Sequence, residues 1–149
     1  MLIREIATAE VVCCGVQTTA SEAAQLMRHK HVGDLVLIDD PTDERNPLGI
    51  VTDRDLAIEV LGRGLDPAST TVGSLNRSPV VIARDSEDSS TLIDRMRMHG
   101  VRRVPVVDDH GGVCGIVTLD DLLHVIVDDA RSLLDVMAKG RKREQRMRR

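Results

Sequence analysis

The sequence predicts an α/β (α+β) fold built from two copies of one strand–helix–strand–strand–helix unit. Three observations predict it. One is an internal repeat at a nearly fixed offset, and another is short apolar runs alternating with helix-period segments. The third is a long amphipathic stretch near the C-terminal end.

The repeat organises the chain. At an offset of 69, residues 4–40 fall on residues 73–109 with eight identities: Val11/Val80, Val12/Val81, Ser21/Ser90, Met27/Met96, Arg28/Arg97, Val32/Val101, Asp39/Asp108 and Asp40/Asp109. Leu35/Val104, Leu37/Val106 and Ile38/Val107 pair apolar with apolar. The offset then drops to 66, because the loop at 41–48 is longer than the loop at 110–114. Gly-Ile-Val-Thr-Asp-Arg-Asp-Leu at 49–56 there meets Gly-Ile-Val-Thr-Leu-Asp-Asp-Leu at 115–122, six positions of eight being identical.

Each copy reads alike. A β-rich stretch (11–14; 80–83) precedes a helical stretch (21–31; 87–99). Ala23, Ala24 and Met27 in one copy, and Leu92, Ile93 and Met96 in the other, mark the buried helix face. An apolar strand follows (35–38; 104–107), then an acidic turn, a second strand (48–51; 113–117) and a final helix from Asp53 or Leu119. Continuous apolar strands flanked by helices imply a covered sheet. Leu119, Leu122, Leu123, Ile126, Ala130, Leu133, Leu134 and Met137 make the last helix longer and more apolar than one repeat needs. That surplus predicts contact with the other repeat or a second chain. The expected organisation is repeat 1 at 1–62, a Gly/Pro linker at 63–72, repeat 2 at 73–138 and a basic tail at 139–149. One such repeat buries too little surface to stand alone, so the two should pack together.

Composition narrows the function classes. The chain has 149 residues, net charge −4, and no Phe, Tyr or Trp. An aliphatic core follows, and the absence weighs against base stacking on aromatic platforms. Residues 139–149 hold seven basic residues and one acid, net +6, which leaves −10 on the other 138 residues. Nucleic acid is therefore not expected as a partner except through the tail, whose charge also suits an acidic partner or anionic lipid. Three cysteines, two of them adjacent, read as cytosolic thiols. Neither a signal peptide nor a membrane span is expected, so the expected location is cytoplasmic.

The strongest local signal is Thr-x-x-Asp after a strand and at a helix start, present as Thr52/Asp55 and Thr118/Asp121. It reads two ways. As a capping box, the threonine caps the helix and the acid reaches back to the cap N–H. As a ligand site, the helix start offers N–H groups to phosphate, and the carboxylate accepts from ribose hydroxyls. The two readings are compatible.

Two units ending in Gly-Ile-Val-Thr-x-x-Asp-Leu, the second preceded by Val101-Arg102-Arg103-Val104-Pro105-Val106-Val107-Asp108, resemble a tandem cystathionine-β-synthase (CBS) domain pair over about residues 2–130. The resemblance implies two β-α-β-β-α repeats packed as a pseudo-twofold module that dimerises. It implies AMP, ADP, ATP or S-adenosylmethionine as a regulatory ligand between the repeats, and no catalytic cofactor. Asp55 and Asp121 would then take ribose hydroxyls, and Thr52 and Thr118 phosphate or ribose oxygens. Backbone at Ile82–Ala83 and Cys13–Cys14 would edge adenine, with Val101 and Val32 as walls. Arg102, Arg103 and Arg54 would meet phosphate. Asp34 stands where the second copy has an arginine, so the second copy should hold phosphorylated ligands better.

Other signals carry less. Gly62-Arg63-Gly64 lacks the third glycine of a dinucleotide fingerprint, and no P-loop is present. His29, His31, His99 and His110 lack zinc-ligand spacing, and Asp39, Asp40, Asp43 and Glu44 lack a calcium-loop pattern. No metal site and no catalytic nucleophile–base set is expected. The expected function is a stand-alone sensor signalling to an unidentified protein partner, as a homodimer. A ligand-free structural dimerisation module is the alternative.

Overall fold

The computed structural model describes residues 1–39, 45–75 and 78–148. Asp40, Asp43 and Glu44 of the expected acidic turn, and Arg149 of the tail, lie outside the described residues. Two three-stranded sheets form, one per copy, with the same topology. In the first, β1 (Cys13–Gly15) runs parallel to β2 (Asp34–Ile38), which pairs antiparallel with β3 (Pro47–Thr52). In the second, β4 (Ala83–Arg84), β5 (Arg103–Val107) and β6 (Val113–Thr118) repeat this order.

Two short helices precede the sheets, α1 (Ile3–Ile6) in the first copy and α4 (Val72–Leu75) in the second. The long parallel crossovers carry α2 (Ala20–Lys30) and α5 (Ser89–His99). Thr19 starts α2 with a reciprocal box: the Glu22 N–H donates to Thr19 Oγ1 at 3.1 Å and the Thr19 N–H to Glu22 Oε2 at 2.9 Å. Both helices end in the left-handed region at equivalent positions, His31 (φ 56°) and Gly100 (φ 64°). After β3 a single α-turn, α3 (Asp53–Asp55), passes into a π-helical stretch, Leu56–Leu61. After β6 comes α6 (Leu119–Met147), 29 residues and about 43 Å long.

The central strands alternate their faces. Leu35 and Leu37 turn to one core with Ala23, Met27, Val51 and Val72. Val104 and Val106 turn to the other with Ile3, Leu92, Met96 and Leu122. Val36, Val113 and Ile116, with Val11, Cys13, Ile38 and Ile50, form a third cluster where the two sheets meet.

The lead-in helices are exchanged. Ile3 of α1 is fully buried in the core of the second copy, and the Ile3 N–H donates to Glu87 O at 2.9 Å. Its equivalent at offset 69, Val72 of α4, is fully buried in the core of the first copy, and its N–H donates to Thr18 O at 2.8 Å. Gly73 is required there: a Cβ would lie 2.6 Å from Val16 O. Each core is thus completed by a segment from the far side of the repeat boundary.

Candidate functional site

The two helix starts are built as capping boxes. The Thr52 N–H donates to Asp55 Oδ2 at 2.8 Å, and the Asp55 N–H to Thr52 Oγ1 at 3.1 Å. The Thr118 N–H donates to Asp121 Oδ2 at 2.8 Å, its hydroxyl to the same oxygen at 2.7 Å, and the Asp121 N–H to Thr118 Oγ1 at 3.2 Å. The capping geometry read from the sequence is present in both copies. Only Oδ2 of each carboxylate is used. Oδ1 meets no donor among the described residues, so a second acceptor remains on each acid.

Strand pairing sets the neighbours of these boxes. Thr52 lies opposite Asp34, and Thr118 opposite Arg103. Asp34 and Arg103 are equivalent positions of the two copies, and they meet: Arg103 Nε lies 2.8 Å from Asp34 Oδ2. Two like residues here would repel across the internal twofold, whereas opposite charges tie the copies together. Burial pushes the Asp34 carboxyl up; Arg103 offsets part of this, and Asp53 adds to it. Arg103 is therefore held at the junction by a carboxylate that a ligand would have to displace. Arg102 and Arg54 are exposed.

A hollow of about 160 Å³ lies between the copies, lined by Gly49 and Ile50 of the first and by Ser78–Val81, Val101 and Arg103 of the second. A larger hollow of about 670 Å³ shares the Ser78–Val81 wall and Val101, and adds Ile82, Arg84, Glu87, Arg95 and His99. The larger volume is within the range of small-molecule sites. Inside it, Arg95 Nη1 donates to Ile82 O at 2.6 Å and lies 3.0 Å from Glu87 Oε2. That oxygen is buried and the contact is an ion pair without hydrogen-bond alignment.

The hollow opens in the second copy for a reason visible in the chain. In the first copy the Val36 N–H donates to Val12 O at 3.0 Å, and β1 pairs over three residues. The equivalent of Val36 is Pro105, which has no N–H. The Val81 carbonyl, equivalent to that of Val12, loses its ladder donor, and β4 pairs over two residues only. Residues 78–82 are thereby left as a wall rather than a strand.

Of the residues expected at the site, Val101 and Arg103 line the inter-repeat hollow and Ile82 the larger one. Thr52, Arg54, Asp55, Arg102, Thr118 and Asp121 line neither hollow; the boxes lie at the ends of the strands beside it. Ala83 and Cys14 are buried core residues, and Val32 packs on the first core. The Cys13 thiol accepts from Arg45 Nη2 at 3.0 Å, while burial pushes Cys14 up to about 11. Sequence reasoning missed Gly49, Ile50, Ser78–Val81, Arg84, Glu87, Arg95 and His99. Pro105 at the position equivalent to Val36, an offset of 69, is the one signal in the sequence by which this wall could have been found, and it was not used. Among the described residues, no group of three His, Cys, Asp or Glu side chains could hold a metal ion. No described helix is long and apolar enough to cross a membrane.

Comparison with known proteins fits this geometry. Hypoxic response protein 1 of Mycobacterium tuberculosis is 37% identical over 140 residues, 91% of this chain and 95% of that one. The crystal structure of Hypoxic Response Protein I with two coordinated zinc ions superposes with a TM-score of 0.72 at 36% identity, covering 83% of this chain and 98% of that one. The uncharacterized protein MK0525 of Methanopyrus kandleri is 32% identical over 123 residues, 83% of this chain but 61% of its own length. Two further structures share the fold. CBS domain protein PAE2072 from Pyrobaculum aerophilum, complexed with AMP, gives a TM-score of 0.72 at 24% identity, covering 82% of this chain and 90% of that one. The CBS domain pair of protein MJ0100, in complex with 5′-methylthioadenosine and S-adenosyl-L-methionine, gives 0.74 at 23%, covering 87% and 98%. The sequence model of the CBS domain matches residues 3–62 and 72–128, one match for each copy found by the repeat. Two tandem units, two like sheets and a pair of Thr-x-x-Asp helix starts thus place this chain in the CBS domain family, as a CBS domain pair.

Proposed function

We propose that this chain is a regulatory module, not an enzyme, that binds an adenosine ligand between its repeats and passes the change to a partner. The observation that carries this reading is the hollow walled by both copies, with Arg103 on its rim and the Thr118/Asp121 box at the adjoining strand end. PAE2072 with AMP and MJ0100 with 5′-methylthioadenosine and S-adenosyl-L-methionine support the ligand class through the shared fold.

The residues divide the task by chemistry. Ile50, Val81, Ile82 and Val101 give apolar walls to a base, and the Val81 carbonyl an acceptor for an exocyclic amine. Asp121 Oδ1 accepts from a ribose hydroxyl without breaking the cap, and Thr118 follows it. Arg102 and Arg103 face a phosphate; Thr52, Asp55 and Arg54 form the weaker first-copy counterpart, where Asp34 repels anions. A phosphate reaching Arg103 competes with Asp34, so ligand occupancy and the inter-repeat ion pair oppose each other. Such competition gives the ligand differential affinity for two arrangements of the copies, the condition for a population shift.

The closed capping boxes favour a second reading, a structural dimerisation module, because they hold the helix starts without any ligand. Thermal unfolding by circular dichroism, with millimolar AMP, ADP, ATP or S-adenosylmethionine, separates the two. A ligand at about 100 times its Kd adds about 2.7 kcal/mol of stability. The regulatory reading expects such a shift with one of them, reduced by Asp121→Ala more than by Asp55→Ala. The structural reading expects none.

A further inference from the structure

We infer that α6 is a self-association surface that pairs antiparallel with α6 of a second copy. The inference rests on the homodimer part of the expected assembly and not on which ligand fills the hollow. Only Leu122 of α6 is buried. Leu123, Ile126, Leu133, Leu134, Val136 and Met137 are between 48% and 68% exposed. Leu119, Leu123, Ile126, Ala130, Leu133 and Met137 alternate spacings of four and three residues, the seam of a coiled coil. Val127, Leu134 and Val136 widen that seam.

Charge names the occupant and its direction. Residues 119–135 carry Asp120, Asp121, Asp128, Asp129 and Asp135 against Arg131 alone. Residues 139–148 carry Lys139, Arg141, Lys142, Arg143, Arg146 and Arg148 against Glu144 alone. The helix macrodipole accounts for such a bias within the first and last turns only, and this one extends over the whole element. Arg131 pairs with Asp128 at 3.4 Å, but none of the six later cations makes an ion pair among the described residues. A parallel pair would set acid beside acid and base beside base along its length. An antiparallel pair sets the acidic part of each helix against the basic part of the other.

The register follows from the same charges. Full apolar overlap would oppose Leu119 to Met137 and bring Asp129 against its own copy. A slide of one heptad instead opposes Ile126 to Met137 and Ala130 to Leu133 of the second copy, and sets Asp120 against its Arg141. Gly140 then faces Leu123 of the second copy. A glycine inside a helix costs about 1 kcal/mol relative to alanine, and a Cβ at Gly140 would meet nothing within 4 Å in this chain. Close approach of a second helix gives that glycine a use. The contact is isologous and closes after two copies.

Sedimentation of the full-length chain and of variants with unchanged circular dichroism tests this. The wild type should be a dimer, and Leu133→Asp/Met137→Asp a monomer. Lys139→Glu/Arg141→Glu/Arg143→Glu should weaken the dimer about tenfold or more at low ionic strength and less at high salt. Met147→Cys places a thiol at the end of α6, so under oxidation it should give no more cross-linked dimer than the wild-type thiols give. A monomeric wild type overturns both the homodimer and the role of α6. A dimer that survives Leu133→Asp/Met137→Asp keeps the homodimer and overturns the role of α6. Efficient cross-linking through Met147→Cys overturns the antiparallel direction.

Discussion

His31 and Gly100 occupy equivalent left-handed helix ends, but only one of them is glycine. A side chain in that region is strained, and glycine relieves it at some cost in unfolded-chain entropy. His31→Gly should therefore raise stability by about 0.5–1 kcal/mol in urea unfolding, and Gly100→His should lower it. The Asp34–Arg103 pair makes a second residue-scale prediction. Asp34 is 22% exposed and Arg103 42%, so removing the cation strands a half-buried acid beside Asp53. Arg103→Met should cost about 1–2 kcal/mol at neutral pH. The cost should shrink in acid as Asp34 takes up a proton. Asp34→Asn leaves an exposed arginine and should change stability by less than about 0.5 kcal/mol. Because the folded protein raises the Asp34 carboxyl, its contribution is present in acid and is lost as pH rises through its folded value. The variant should therefore gain on wild type as pH rises. The Thr-x-x-Asp boxes were legible in the sequence as caps because reciprocal hydrogen bonding depends only on spacing within one turn. The Asp34–Arg103 contact was not, because it joins residues 69 positions apart in different sheets.

At the scale of elements, central strands and crossover helices were legible because period and apolarity report them directly. The strands Asp34–Ile38 and Arg103–Val107 extend the expected runs by one residue, and α2 and α5 fall within two residues of expectation. Three things were not legible. The helices α1 and α4 have four residues each, too short for any period to show. The stretch after Asp55 is π-helical, although its counterpart begins a long α-helix; no residue pattern in Leu56–Leu61 accounts for this. The β-rich runs at 11–14 and 80–83 pair only toward their ends, the second shortened by Pro105. Pro105→Val restores an N–H opposite the Val81 carbonyl. It should add a slowly exchanging amide at 105, lengthen β4 by one residue and weaken ligand binding by narrowing the hollow. Gly73→Ala puts a Cβ into the Val16 carbonyl and should lower stability by at least about 1 kcal/mol, by undocking α4 from the first core.

At the scale of the molecule, exchange of α1 and α4 makes the two copies one cooperative unit, since neither core is complete within its own repeat. Urea unfolding should accordingly be a single transition. The junction of the copies is also where their symmetry is broken: Val36 against Pro105 opens one wall, and Asp34 against Arg103 joins the halves. A site between the copies can therefore be single although the chain is double. Its position tests the account most directly. Ser78 is exposed on the wall shared by both hollows, so Ser78→Trp plugs them without entering either core. Isothermal titration with AMP, ATP and S-adenosylmethionine should show one ligand binding the wild type and failing to bind Ser78→Trp, with the unfolding midpoint of the unliganded variant unchanged. Equal binding by both proteins, or no binding by the wild type, would contradict it.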